Sequence, residues 1–326
     1  LKIGVVGGVK ATEIVINKLF ENDFRNVFIL GFSPRDNSKV SGWVDLKKIS
    51  DKYSYIFEKF KNINEKFKSI EKNKPDLLFI VGLSQIVNSK ILKIPKYGCI
   101  GFHPTFLPDG RGRAPLAWLL LDEKKQGAST FFQISEGVDD GPIISQIPFD
   151  IDKDDYVSDI EKKMLEKESQ ALDGILNDMN FPNFSFTYQN EEKATYYGKR
   201  NAEDGIIEWK ESNIEIIKLI RSASPPHPGA YTFQDQNKIF IFKAEISDKP
   251  IKGVIGRILQ ISENNNFHVQ SKEGLIKITE WSCENENWMP KVGMRLGYNP
   301  EEEIFKLKNT LESITNKIIE IQNKID

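Results

Sequence analysis

Pro75-Asp76-Leu77-Leu78-Phe79-Ile80-Val81 is the stretch that decides the fold. A turn dipeptide leads into five apolar residues without a polar interruption, as in a strand covered on both faces inside a parallel sheet. Upstream, Lys2 to Val6 is a β-branched run ending in Gly7-Gly8, and Ala11 to Glu21 sets Ile14, Val15, Lys18 and Leu19 at helical spacing, which together predict strand, tight turn and helix. Val27 to Phe32 predicts another strand, and the Lys-rich Ile49 to Asn73 a helix. Downstream, Ser89 to Leu92 predicts a short helix, Gly98 to Phe102 a fourth strand, and Ala128 to Gln133 a later one. Strands alternating with helices make an α/β fold, a mostly parallel sheet with helices on both faces. Chemistry then gathers at the carboxyl ends of the strands.

The helix that closes this first domain, residues 1–180, is expected over Ser158 to Met179, with Ile160, Met164, Leu172, Ile175, Leu176 and Met179 on or near one face. Phe181 to Lys199 has Pro, Asn and Tyr but no period, so 181–200 reads as a linker crossing the surface. After a short helix at Ile214 to Arg221, the segments Tyr231 to Phe233, Lys238 to Ala244, Gly253 to Gln260, Phe267 to Gln270 and Leu275 to Trp281 read as short strands between turns. They predict a smaller β domain over 201–285, expected as a partly open barrel. In the terminal helix, 298–326, Asn299 caps, Pro300 follows at the first position, and Ile304, Leu307, Leu311, Ile314, Ile318, Ile321 and Ile325 alternate spacings of three and four. Such a seam either docks on its own body or joins copies of the chain into a homodimer.

The chain has 326 residues, length for about two domains. Its 45 Lys+Arg balance 47 Asp+Glu to −2, so no global positive field draws it to nucleic acid or anionic lipid. Two cysteines, Cys99 and Cys283, are too few for a disulfide framework and have no partners at metal-ligand spacing, so no metal is expected. The start has no charged region ahead of an apolar one, and no apolar run approaches bilayer length. A cytoplasmic enzyme is expected, and Leu1 in place of Met suggests that the initiator or a short leader is missing.

The chemistry concentrates in two loops. Gly101-Phe102-His103-Pro104-Thr105-Phe106-Leu107-Pro108-Asp109-Gly110-Arg111-Gly112-Arg113-Ala114-Pro115 brings an imidazole to the sheet's carboxyl edge, followed by a stiff loop with two guanidinium groups. Glu136-Gly137-Val138-Asp139-Asp140-Gly141-Pro142-Ile143 offers a carboxylate able to orient and charge that imidazole. Taken alone, Asp139 and Asp140 suit turn formation better than catalysis. Gly7-Gly8-Val9-Lys10 either meets phosphate through backbone amides and Lys10 or is simply a tight turn, since it lacks a full phosphate-binding motif. His227 and His268 read as structural.

These residues resemble the formyltransferases that use N10-formyltetrahydrofolate: methionyl-tRNA formyltransferase, glycinamide ribonucleotide transformylase and the nucleotide-sugar N-formyltransferases. The match joins Gly101–Pro115 to Val138–Ile143, extends through Pro75-Asp76 and Gly82–Ile86, and continues in Ala194-Thr195-Tyr196-Tyr197 and Asp204–Trp209. The resemblance implies a Rossmann-like catalytic domain, His103 and Asp139 as catalytic pair, and N10-formyltetrahydrofolate as formyl donor. Its pterin would lie beside Gly82, Leu83, Ser84, Gln85, Ile86 and Val87 and against Glu136, Gly137, Val138 and Asp140. One departure stands out. The family has Asn two residues before the histidine, where this chain has Gly101. Thr105, Ser84, Gln85 or a backbone N–H takes over the amide's oxyanion role, or the chain is a weakened enzyme or a non-catalytic folate or nucleotide binder.

For the acceptor, residues 200–282 hold 11 Lys+Arg and 11 Asp+Glu, no field for a tRNA. The Gly110 to Pro115 pattern, Tyr196-Tyr197 and the Pro225 to Ala230 turn resemble the sugar branch more closely. The expected acceptor is a nucleotide-linked amino sugar, such as a 4-amino-4,6-dideoxy sugar for a surface glycan, contacted by Gly8, Val9, Lys10, Thr105, Arg111, Arg113 and Tyr197, although Arg113 could instead brace its loop. Methionyl-tRNA formyl transfer is the alternative.

Overall fold

The structure, a computed structural model, describes residues 1–37, 40–178 and 180–325. In chain order the elements are β1 (Ile3–Gly7), α1 (Lys10–Glu21), β2 (Val27–Phe32), α2 (Lys47–Tyr53), β3 (Ile56–Phe60), α3 (Phe67–Asn73), β4 (Leu77–Val81), α4 (Ser89–Leu92) and β5 (Cys99–His103). There follow β6 (Arg111–Gly112), α5 (Pro115–Leu121), β7 (Gln126–Gln133), β8 (Ile143–Asp150), α6 (Val157–Leu176), β9 (Tyr196–Tyr197) and α7 (Asn213–Ala223). The last are β10 (Ala230–Gln234), β11 (Asn237–Ser247), β12 (Ile258–Ile261), β13 (Phe267–Gln270), β14 (Leu275–Cys283) and α8 (Pro300–Ile325). The chain forms two compact units: Leu1–Gly205 with Lys218–Ala230, and Ile206–Ile217 with Tyr231–Asp326.

In the first unit a seven-stranded sheet runs β3-β2-β1-β4-β5-β7-β8. β1, β2, β3, β4 and β5 pair in parallel, while β7 and β8 add antiparallel. All five residues of β4 are buried, as expected of a central strand. The core lies on both sheet faces. On one, Ile3 and Val5 pack with Val15, Leu19, Leu172 and Ile175 of α1 and α6. On the other, Val6, Leu78 and Ile80 pack with Ile70 of α3 and Ile91 of α4.

The single helix expected over Ile49 to Asn73 is instead α2, strand β3 and α3. Ser54, in the left-handed region at φ 57°, ends α2, and Ile56 to Phe60 then pair along β2. β3 is an edge strand, so its polar Glu58 and Lys59 stay in reach of water, and the Lys-rich composition that suggested a helix suits a protected edge. α5 and β8 were not anticipated. α6 matches its expected helix to within a few residues, and Met179 lies outside the described residues.

The second unit contains a five-stranded sheet, β10-β11-β14-β13-β12, in which Ile239, Ile241, Phe267, Val269, Ile276 and Ile278 are buried. β10 and β12 end that order, so the sheet remains open. α8 follows as one continuous helix.

Candidate active site

The sheet order reverses between β1 and β4, and loops leaving those carboxyl ends diverge to form the crevice where ligands bind in open α/β sheets. Their bases nearly touch. Gly82 has φ +67°, and a Cβ there would collide with the Val9 side chain, so only glycine lets the β4 loop leave this way.

At the end of β5, one strand along, His103 is 5% exposed. Its Nε2 lies 2.8 Å from the Gly110 carbonyl, an acceptor only, so Nε2 carries a proton. Its Nδ1 faces Asp139 Oδ2 at 3.6 Å, beyond hydrogen-bond length, and is therefore the nitrogen available to exchange a proton. Burial pushes the imidazole below its ordinary value of 6.5, against the opposing pull of the Asp139 charge and the Gly110 carbonyl. The same Asp139 oxygen accepts from the Gly112 N–H at 2.9 Å. Asp139 itself sits at φ +50°, a conformation that Asp tolerates better than most residues. The structure thus joins the two loops at a neutral imidazole poised beside a carboxylate.

Gly101 packs under Phe132, its cross-strand neighbour, which is 3% exposed. A Cβ at 101 would stand 2.8 Å from Phe132 Cζ and 3.0 Å from Ile134 Cγ1. The volume that an Asn side chain would need is filled by a ring. Of the side chains expected to replace that amide, Thr105 donates to Gly110 O at 3.4 Å and is 2% exposed. Gln85 is committed too, accepting from Ile63 N at 2.8 Å and donating to Lys61 O at 2.7 Å. Ser84 remains exposed on its loop.

Several expected ligand contacts point elsewhere. The Gly8 and Val9 amides bond Thr12 Oγ1 at 3.1 and 3.3 Å, the Lys10 amide bonds Gly42 O at 3.3 Å, and Lys10 Nζ pairs with Glu161 at 2.7 Å. The amides of Gly8, Val9 and Lys10 are therefore bonded within the chain, as in a tight turn. Arg111 is fully buried. Its guanidinium donates to Gln189, Glu191 and Tyr196 at 2.6–3.1 Å, which makes it a brace rather than a phosphate contact. Tyr197 stacks on Trp118 and donates its hydroxyl to Asp122 at 2.8 Å, so its ring is already occupied. Arg113 is exposed.

The expected donor-binding loops do present surface. Gly82, Ser84 and Ile86 are exposed after β4, and Glu136, Gly137 and Val138 after β7, with Ile86 86% and Val138 52% exposed. Lys93 and Glu136 approach to 3.7 Å, linking the end of α4 to the second loop. Asp140 turns inward to Ser135.

The segment 187–198, expected as part of a surface linker with Tyr197 its one named contact, is instead bonded to the site. Thr187 exchanges both backbone hydrogen bonds with Ile143, Gln189 donates to the carbonyls of Asp139 and Gly141, and Glu191 pairs with Arg111. Thr195 bonds Pro108 O, Arg111 N and Gly110 N, and Arg113 N bonds Tyr197 O. A strap thus stitches both site loops together. Its only local signals are the Gln189-x-Glu191 alternation and the motif Ala194–Tyr197, neither of which shows its target.

The sequence pattern described as "Formyl transferase" matches residues 5–176, and that described as "Formyl transferase, C-terminal domain" matches 199–294. The methionyl-tRNA formyltransferase of Syntrophomonas wolfei is 31% identical over 225 residues, 68% of this chain and 70% of that protein. That of Clostridium acetobutylicum is 28% identical over 284 residues, 86% of this chain and 91% of that protein. Among solved structures, the N-formyltransferase of Helicobacter canadensis in complex with folinic acid and dTDP-3-aminofucose superposes with a TM-score of 0.64 at 17% identity, covering 86% of this chain and 100% of that one. With His103 and Asp139 meeting at the carboxyl edge of a sheet that this pattern spans, the chain belongs to the formyl transferase family.

Proposed function

We propose that this enzyme transfers a formyl group from N10-formyltetrahydrofolate to the primary amine of a nucleotide-linked amino sugar, with His103 and Asp139 as its catalytic pair. The observation that carries the reading is the imidazole at the carboxyl end of β5, its Nε2 proton held by Gly110 and its Nδ1 open toward Asp139. A neutral Nδ1 takes the proton released as the amine nitrogen bonds to the formyl carbon. Asp139 then lies close enough to stabilise the imidazolium, which returns the proton to N10 as the N10–carbon bond breaks. The exposed Ile86 and Val138 offer apolar walls to the pterin, and the exposed Ser84 is assigned to the formyl oxygen in place of the family amide because Thr105 and Gln85 are already bonded within the chain.

The sugar acceptor is supported by the likeness to the Helicobacter canadensis enzyme, solved with a dTDP-linked amino sugar, and by the balanced charge of residues 200–282. The names of the two sequence relatives favour a second reading, methionyl-tRNA as acceptor. A panel of amines tested for formyl-dependent mass gain separates them. Gain on a nucleotide-linked amino sugar, little affected by salt, supports the first. Gain only on charged initiator tRNA, falling steeply with salt, replaces it with the second. Formate release without any amine would make the chain a hydrolase. A cytoplasmic setting follows from these substrates.

The partner proposed for α8 is a second copy of the chain. Ile304, Leu307, Leu311, Ile314, Ile318 and Ile321 are 50–65% exposed, an apolar seam of coiled-coil spacing. An isolated helix in water is marginal, and pairing would supply its missing burial. In a parallel, in-register pair Glu303 faces Lys308 of the partner subunit, while the other flanking pairs, Thr310 with Thr315 and Lys317 with Gln322, bring no like charges together. Sizing the chain in solution with and without the residues from Asn299 onward tests this. A mass that is already monomeric in the full chain refutes it.

A further inference from the structure

We propose that Gln189 is a positioning residue for proton transfer: its side-chain amide transmits the rigidity of the buried Arg111 to the backbone of Asp139 and so sets the distance between Asp139 and His103. This rests on the reading that His103 and Asp139 carry the reaction.

The amide is saturated. Gln189 Oε1 accepts from Arg111 Nε at 3.1 Å and Nη2 at 2.9 Å, and Gln189 Nε2 donates to the carbonyls of Asp139 at 2.8 Å and Gly141 at 2.7 Å. Two acceptor and two donor bonds are all that a carboxamide can make. Guanidinium donors on one side and carbonyl acceptors on the other permit a single orientation. A carboxylate would face the two carbonyls with no proton to offer, and an apolar side chain would remove all four hydrogen bonds.

Arg111 gives this clamp a fixed base. Its other nitrogen bonds reach Glu191 at 2.6 and 2.9 Å and Tyr196 at 2.9 Å. Asp139 is gripped at both ends, its carbonyl by Gln189 and its carboxylate by Gly112 N–H, and Gly112 belongs to β6, which pairs with β9 of the same strap. Its left-handed backbone, φ +50°, can relax once one grip is released. Misplacement of a reacting group by about 1 Å is enough to cost orders of magnitude in rate.

Gln189→Met removes the clamp without adding charge. The expected result is a fall in kcat of about tenfold or more with KM for donor and acceptor little changed. The chain has three histidines, so the His103 ring can be followed by NMR titration beside His227 and His268. In Gln189→Met its titration should move to lower pH, in the direction set by Asp139→Asn, because the carboxylate withdraws from Nδ1. A lowered melting temperature with unchanged kcat and unchanged His103 titration would reduce Gln189 to a structural role and overturn the proposal. If Gln189→Met does not fold, Glu191→Gln, at an exposed carboxylate, should give both changes at smaller size, and their absence there overturns it equally. If the wild-type enzyme formylates no amine, the functional reading fails, while the titration of His103 still decides whether the strap controls the pair.

Discussion

The segment 187–198 and helix α8 invert what their sequences suggest. The strap has no period and three Tyr among polar residues, yet its backbone and side chains bond to both loops of the active site. α8 has the most regular apolar spacing in the chain, yet that spacing faces solvent. Periodicity reports which face of an element seeks burial. It does not report whether the chain supplies the partner, and a segment held by specific polar bonds needs no period at all. The strap is therefore proposed to act in the mechanism and α8 in assembly, and substitutions should separate the two.

The largest effect is expected at the point the strap holds. Asp139→Asn or His103→Asn should lower turnover by about 10²–10⁴-fold with the melting temperature nearly unchanged, measured as formyl-dependent mass gain on the preferred amine. Undiminished turnover in a folded His103→Asn enzyme would remove the site assignment. Next comes the base of the strap: Arg111→Met should cost about 2–4 kcal/mol in denaturant unfolding, because it removes a guanidinium that has no exposure and takes both donors from the half-buried Gln189 oxygen. Gly101→Asn, which restores the residue usual in the family, should destabilise by about 1–3 kcal/mol through overlap with Phe132 and bring no gain in turnover. A faster and equally stable Gly101→Asn enzyme would show that the ring moves aside.

Smaller effects should appear with pH. His103, His227 and His268 are each depressed, foremost by burial, so their contribution is complete above the unfolded value near 6.5 and is lost as pH falls from there through their lower folded values. Glu168 has the opposite sign. Its carboxyl is fully buried without a hydrogen-bond partner among the described residues, and burial raises it well above the usual carboxylate range. Its stabilising share is thus complete below the ordinary carboxylate value near 4.5 and is lost as pH rises toward the raised folded one. Glu168→Gln should raise stability by about 1 kcal/mol or more at pH 8 and by less at pH 5, read from melting curves. Equal change at both would mean that Glu168 is not titrating. Truncation before Asn299 should move the unfolding free energy of the remaining chain by no more than about 0.5 kcal/mol, since α8 buries little of it, while altering the mass in solution.

The parallel centre of the sheet was legible because β4 is apolar at every position, a pattern that few other environments accept. His103 and Asp139 were legible as members of two loops that follow strands. β3 was not, because an edge strand keeps polar residues that also suit a helix, and its identity depends on pairing with β2. The partners of Arg111 and Lys10 were not legible for a related reason: a cation in a loop looks the same whether it faces a phosphate or a carboxylate of its own chain, and only the fold brings Glu191 and Glu161 to them.

By itself the sequence determined the layers, the carboxyl edge where chemistry gathers and the residue types brought there, since apolar patterning and turn residues act over short stretches of chain. Tertiary structure alone decided that Phe132 fills the space beside Gly101, that Gln189 grips Asp139, and that the amides after β1 are spent on Thr12 and Gly42. The physical reason is directional: a hydrogen bond or a filled volume depends on where a distant residue arrives, and that position is an outcome of packing the whole unit.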